Sequence, residues 1–164
     1  MVNKPVNPQD KRESVWDYPR PPKLEPFTGN IRILHEDVLL VDTNQAIKFM
    51  ETSHPPSYYL PLTAFKPGLL KENRHKTFCE FKGIANYFDL LLHGRRIINF
   101  GWVYHTPNSS YQMIEGHIAV YASKADRCFV NGESVDAQEG DFYGGWITSN
   151  ILGPFKGAPG TMSW

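Results

Sequence analysis

Short apolar runs and apolar–polar alternation dominate the chain from residue 31 onward, and they predict strands. Ile31-Arg32-Ile33-Leu34 and Val38-Leu39-Leu40-Val41 flank His35-Glu36-Asp37, the pattern of a hairpin with a three-residue turn. Asp42 or Thr43 is then placed to cap a short helix, Asn44 to Met50, with Ala46, Ile47 and Met50 on one side. His54-Pro55-Pro56 stops it, because a residue before proline avoids the helical region, and Ser57 to Leu62 resumes as an extended segment. Thr77 to Lys82, Tyr87 to Leu92 and Ile97 to His105 read as three strands of a meander, joined by Gly83-Ile84-Ala85-Asn86 and His93-Gly94-Arg95-Arg96. Pro107-Asn108-Ser109-Ser110 opens a helix of one or two turns that Gly116 ends. Ile118 to Ala122 and Arg127 to Val130 are strands, and Asn131-Gly132 is a strong two-residue turn signal. The expected fold is mainly β, with two short helices, no βαβ rhythm and no internal repeat.

The two ends differ from this middle. Six of the thirteen prolines fall in residues 1–30, and proline fixes φ and removes an N–H, so this arm should run extended and add little to any sheet. Val15-Trp16-Asp17-Tyr18 and Phe27 are too apolar for a disordered tail. Residues 1–12 are expected to be loose and Ser14 to Phe27 to lie as a strap over one domain spanning 13–164. From Gly140 onward six glycines in twenty-one residues mix with Phe142, Tyr143, Trp146 and Phe155, which predicts an ordered, irregular coil.

Composition narrows the classes. A chain of 164 residues with 41% hydrophobic and 13% aromatic residues can bury a real core. Lys+Arg and Asp+Glu number 17 each, so the basic footprint of a nucleic-acid binder is absent. Apolar runs such as Leu90-Leu91-Leu92 are far too short to span a bilayer, and Met1-Val2-Asn3-Lys4-Pro5 is no signal core. Two cysteines, Cys79 and Cys128, make neither a disulfide framework nor a four-thiolate metal site. The expectation is a cytoplasmic protein with no metal, no cofactor, and neither nucleic acid nor membrane as partner.

Several long motifs occur in order: Glu13-Ser14-Val15-Trp16-Asp17-Tyr18-Pro19-Arg20-Pro21-Pro22, then Glu51-Thr52-Ser53-His54-Pro55-Pro56 with Tyr58-Tyr59. Thr77-Phe78-Cys79-Glu80-Phe81-Lys82-Gly83, Tyr87 with Asp89, and Trp102 with Tyr104 follow. Phe142-Tyr143-Gly144-Gly145-Trp146-Ile147-Thr148-Ser149 and Gly153-Pro154-Phe155-Lys156-Gly157 close the series. Over about Glu13 to Trp164 this resembles domain-of-unknown-function family 427, a bacterial family some of whose members carry a nucleotidyltransferase-like label. The resemblance implies a β-tent (Mss4-like) fold, similar to the methionine sulfoxide reductase B and cereblon thalidomide-binding folds, and no settled activity. Many β-tent relatives hold zinc with two Cys-x-x-Cys pairs; this chain has none, so a structural zinc is not expected. Nucleotidyl transfer usually needs a Gly-Ser turn and clustered carboxylates for magnesium, and nothing here matches that pattern in order.

Pairing the first two meander strands gives the leading constellation. With residues 83–86 as the connection, Lys82 faces Tyr87 and Glu80 faces Asp89, all on one face of the sheet. Opposed carboxylates raise one pKa unless a cation offsets the repulsion, and with an amine and a phenol they make a proton-transfer set. The plain alternative is a solvated face with an ion pair worth under about 1 kcal/mol, and a one-residue slip breaks the quartet. His54 sits in a proline-stiffened segment where Ser53 or Glu51 could orient the imidazole; otherwise it is a turn residue bonded to a carbonyl. Tyr59, Trp102, Tyr104 and Trp146 offer aromatic walls for a flat ring or a cation, a use the cereblon resemblance favours, against simple core packing.

Three signals carry little. Gly153 to Thr161 has its lysine misplaced for a phosphate loop and prolines where N–H groups are needed. His75 and Cys79 meet only on a helix, and Cys79 alternates onto the apolar face as a buried small residue. The resulting expectation is a pocket protein for a small, partly planar metabolite. Tyr59, Tyr87, Trp102, Tyr104 and Trp146 would bind it, with acid–base chemistry open to Glu80, Lys82, Asp89 and His54. The rivals are an interaction or self-association module without catalysis, forming a homo-oligomer, and a nucleotide-using transferase.

Overall fold

Alternating apolar positions on successive strands build two main sheets. The computed structural model describes residues 11–140 and 142–164. In chain order its strands are β1 (Glu13–Ser14), β2 (Lys23–Pro26), β3 (Ile31–His35), β4 (Val38–Thr43), β5 (Ile47–Met50), β6 (Ser57–Pro61), β7 (Leu70–Cys79) and β8 (Gly83–Leu92). They continue with β9 (Arg95–Val103), β10 (His117–Val120), β11 (Arg127–Val130), β12 (Glu133–Ser134), β13 (Asp136–Ala137), β14 (Trp146–Ile147) and β15 (Ile151–Leu152). The larger sheet has the order β2-β5-β6-β10-β9-β8-β7 and the smaller β12-β11-β3-β4, each antiparallel throughout. The helices among the described residues are short 3-10 turns, the longest at Ser109–Ile114.

Period two assigns the two faces of the larger sheet to different clusters. Tyr58, Leu60, Phe100, Val103, Ile118 and Val120 pack with Ile31, Ile33, Leu40 and Val41 of the smaller sheet. Tyr59, Trp102, Tyr104, Ala119 and Tyr87 face the other way and join Phe49, Tyr111 and Ile114. Gly101 lets β9 and β10 close up: a Cβ there would stand 2.5 Å from the Ala119 carbonyl oxygen.

The β3–β4 hairpin forms as its pattern predicts, though Glu36 and Asp37 alone make the turn, both at positive φ. Asn131-Gly132 also turns as expected, joining β11 to β12. Three expectations need correction. Ile47–Met50 is a strand rather than a helix. It is buried on both faces, so apolar residues occupy both sets of alternate positions and mimic helical spacing. The proline arm contributes an edge strand, β2, with Pro22 before it and Pro26 at its end, where a missing N–H costs no ladder bond. In the meander the turn falls at residues 80–82: Cys79 pairs with Gly83, so Gly83 to Asn86 belong to β8. Gly83 makes the entry at φ 111°, and Asn108 holds the turn by donating its N–H to the Lys82 carbonyl and its amide to that of Phe81. The loose arm expected over residues 1–12 lies outside the described residues except for Lys11 and Arg12. Among the described residues no helix is long and apolar enough to cross a membrane.

Candidate functional site

The outer face of the larger sheet holds a cavity of about 290 Å³. Behind its lining lies Tyr59, fully buried, whose hydroxyl accepts from Lys82 Nζ and from Trp102 Nε1, each at 3.1 Å. Lys82 leaves the β7–β8 turn and runs inward, leaving the residue 8% exposed. Its Nζ stands 3.9 Å from the centroid of Phe49 and 5.0 Å from that of Tyr104, within cation–π range. Among the described residues no carboxylate pairs with it. A buried ammonium held by rings and one phenol keeps hydrogen-bonding capacity to spare, since an ammonium carries three donors.

His54 stands across the cavity, and the hydrogen bonds of Gln138 set its tautomer. Gln138 Oε1 accepts from the Gly145 N–H at 2.9 Å and Nε2 donates to the Lys156 carbonyl at 2.7 Å, which fixes the amide's orientation. The remaining Nε2 hydrogen therefore goes to His54 Nδ1 at 3.2 Å, so Nδ1 accepts and the ring proton sits on Nε2. Nε2 lies 3.7 Å from Glu51 Oε2, and Glu51 is itself held by Arg20 at 3.2 Å. Burial above all, then the charges of Lys156, Arg20 and Lys82, pulls the imidazole pKa down to about 4. His54 is thus neutral at pH 7, and its contact with Glu51 is no ion pair there. Tyr143 packs edge-on against His54 at 4.5 Å, and the exposed Phe78 and Phe142 line the same cavity. Burial also drives the Tyr104 phenol far above its ordinary value, keeping it a neutral hydrogen-bonding group.

Six of the sequence-predicted residues line this cavity: His54, Glu80, Lys82, Tyr87, Trp102 and Tyr104. Tyr59 supports it from beneath. The expected register is not the one observed, and it does not bring Glu80 opposite Asp89: Glu80 lies in the turn while Asp89 pairs with Lys71, well along the strand. Asp89, 2% exposed, accepts from the Asn99 N–H at 2.9 Å and from Asn73 Nδ2 at 2.7 Å, and lies outside the cavity lining. Trp146 belongs to the core between the sheets, beside Tyr58 at 5.5 Å, with Nε1 donating to the Val120 carbonyl. Tyr87 bonds Thr77 Oγ1 at 2.9 Å. Of the two residues expected to orient His54, Ser53 has a buried hydroxyl without a partner among the described residues, while Glu51 stands beside Nε2.

The family model of a domain of unknown function (DUF427) matches residues 23–131. The chain belongs to the DUF427 family. No curated protein matches it. The matched segment contains His54, Glu80, Lys82, Tyr87, Trp102 and Tyr104, whereas Gln138 and Lys156 of this DUF427 chain lie beyond it. Nothing local in the sequence singles those two out, because 84 residues separate Gln138 from the histidine it orients. A four-thiolate zinc site does not fit the donor set: Cys79 and Cys128 are free thiols in separate clusters. Among the described residues no group of three or more His, Cys, Asp and Glu is placed to hold a metal ion.

Proposed function

We propose that this protein binds a small, partly planar organic anion in the aromatic cavity, its negative group pairing with Lys82 and its flat part lying among Phe49, Tyr87, Trp102 and Tyr104. The observation that carries the reading is the buried Lys82 ammonium, without a carboxylate partner among the described residues, at the wall of a cavity lined by rings. Cation–π contacts are worth up to about 2 kcal/mol when desolvated, less than the several kcal/mol that burying an ion costs, so an incoming anion is the stabilising occupant. The His54 Nε2–H is a donor, which suits an acceptor on the ligand better than the base expected of this histidine. Glu80 supplies the carboxylate for proton transfer. A β-tent arrangement of the two sheets is part of the same proposal, supported by their shared core and by family membership, and two unpaired thiols suit a cytoplasmic setting.

The experiment is a thermal-shift series with benzoate, nicotinate and indole-3-carboxylate on wild type and Lys82→Met. Stabilisation of wild type alone is expected, by about 2.7 kcal/mol at a hundred times Kd. Equal responses from both proteins, or none from wild type, overturn the proposal. One observation favours self-association instead: Phe78 and Ile84 are cross-strand partners on the β7–β8 hairpin, 72% and 52% exposed. Sedimentation of wild type and Phe78→Ser decides it, since a dimer that Phe78→Ser dissolves is the result that reading requires.

A further inference from the structure

A second cavity, of about 210 Å³, opens on the opposite side of β5 and β6. Lys48 pairs in register with Tyr58, and both point to this side, while Phe49 and Ser57 point to the aromatic cavity. The wall carries three carboxylates, Glu13, Glu25 and Glu133, against the single amine of Lys48. Lys48 Nζ donates to Glu13 Oε1 at 2.7 Å, so that pair is internally balanced. Glu133 accepts from the Ser149 N–H and hydroxyl, each at 2.6 Å, which are neutral donors that leave its charge in place. Glu25 has only the exposed Lys23 at 4.0 Å. The wall therefore keeps a net negative charge, with Glu133 held by neutral donors alone and Glu25 paired only at 4.0 Å with an exposed lysine.

A second, independent observation points to a ligand. The Tyr58 side chain is buried, 3% exposed, and its hydroxyl opens on the cavity with no hydrogen-bond partner among the described residues, so its partner must come from the cavity's contents. Buried phenols are otherwise satisfied by protein or water. Burial and the Glu13 carboxylate raise its pKa, so the hydroxyl stays neutral, with lone pairs to accept.

We propose that this cavity binds a small organic cation bearing a primary ammonium group, with Tyr58 Oη accepting one N–H and Glu25 and Glu133 balancing the charge. The Phe27 ring in the same wall suits a cation through its face. An anion meets net negative charge, and a neutral polyol leaves that charge unbalanced. A bare metal ion lacks ligands, since no group of three or more metal-binding side chains assembles among the described residues. The volume, below the roughly 300 Å³ at which drug-sized pockets begin, limits the ligand to a few heavy atoms.

Titration calorimetry of the full chain with putrescine at low ionic strength tests this. Wild type should bind saturably at one site, Tyr58→Phe about tenfold more weakly, and the exposed-site variant Glu25→Gln several-fold more weakly. Tyr58→Phe should melt no lower than wild type, because its hydroxyl bonds nothing in the fold. Lys82→Met, altered only in the aromatic cavity, should bind putrescine as wild type does, so this result is separate from that of the anion screen. Absence of saturable heat at millimolar putrescine, undiminished affinity in both Tyr58→Phe and Glu25→Gln, or loss of binding in Lys82→Met overturns the proposal.

Discussion

Acid should destabilise this protein through His54, by an amount that follows from where the imidazole sits. In the folded chain burial and the neighbouring Lys156, Arg20 and Lys82 hold its pKa at about 4, against an ordinary 6.5. Above pH 6.5 the ring is neutral in folded and unfolded chains alike and contributes no pH dependence. Between 6.5 and 4 the unfolded chain takes up a proton that the folded chain refuses, so stability falls as pH falls. The loss reaches about 2 kcal/mol at pH 5 and levels off at roughly 3 kcal/mol below pH 4. Glu51, 3.7 Å from Nε2, is the facing anion that recovers part of this once the ring charges, so these figures are upper values. The variant to compare is His54→Asn, whose side-chain oxygen can accept the Gln138 amide proton and does not titrate. Urea unfolding of both proteins near pH 7.5 and near pH 5 should show wild type losing about 2 kcal/mol more than the variant over that interval. Parallel losses would refute the assignment of a neutral, buried His54.

Three further outcomes follow from contacts elsewhere. Asp89→Ala orphans the Asn99 N–H, leaves the Asn73 amide only its bond to Asn99 Oδ1 and breaks the Arg96 ion pair, and should cost about 3 kcal/mol, or roughly 10 °C in Tm, while leaving anion affinity at the aromatic cavity unchanged; a shifted affinity would contradict its place outside the lining. Gly101→Ala drives a Cβ to 2.5 Å from the Ala119 carbonyl oxygen and 2.8 Å from Ile118 Cδ1, so denaturant unfolding should show a loss of about 3 kcal/mol, and wild-type stability would mean that β9 and β10 can part cheaply. Trp102→Phe removes the indole N–H from Tyr59, with an expected cost of about 1 to 2 kcal/mol and weaker binding of any planar anion, read by melting and by the thermal-shift series.

How far the sequence foretold this structure depends on what each segment's neighbours do. The β3–β4 hairpin was readable because one face of alternating residues meets the core and Glu36-Asp37 tolerates positive φ. Ile47–Met50 misled because both its faces are covered, with even Lys48 buried against Glu13. The β7–β8 register misled for a different reason. Gly83 looked like turn chemistry, but the turn lies at residues 80–82 and is held by Asn108, a tertiary contact 27 residues from Phe81 that no local rule supplies. Glu80, Lys82 and Tyr87 still reach one cavity with Trp102 and Tyr104, through the turn itself rather than through cross-strand pairing. Aromatic residues two apart on β9 and its continuation, Trp102 and Tyr104, were enough to indicate a shared wall.

The two cavities share one backbone. β5 and β6 are buried along nearly their whole length, yet the residues they bury include Lys48, Ser57, Tyr58 and Tyr59 as well as apolar ones. A doubly covered strand normally carries a continuous apolar run, because each face must match a packed layer. Here alternate positions carry opposite demands instead. Lys48 and Tyr58 face a wall rich in carboxylates, whereas Phe49 and Tyr59 face the rings around Lys82. A one-residue slip of β5 would carry the Lys48 ammonium beside that of Lys82 and set Phe49 among Glu13 and Glu25. Both placements are strongly unfavourable, so the polar residues that cost hydrophobic burial also fix the register. The same alternation is why single side-chain variants such as Lys82→Met and Tyr58→Phe should each weaken one cavity and spare the other, whereas a backbone change within β5 or β6 should disturb both together.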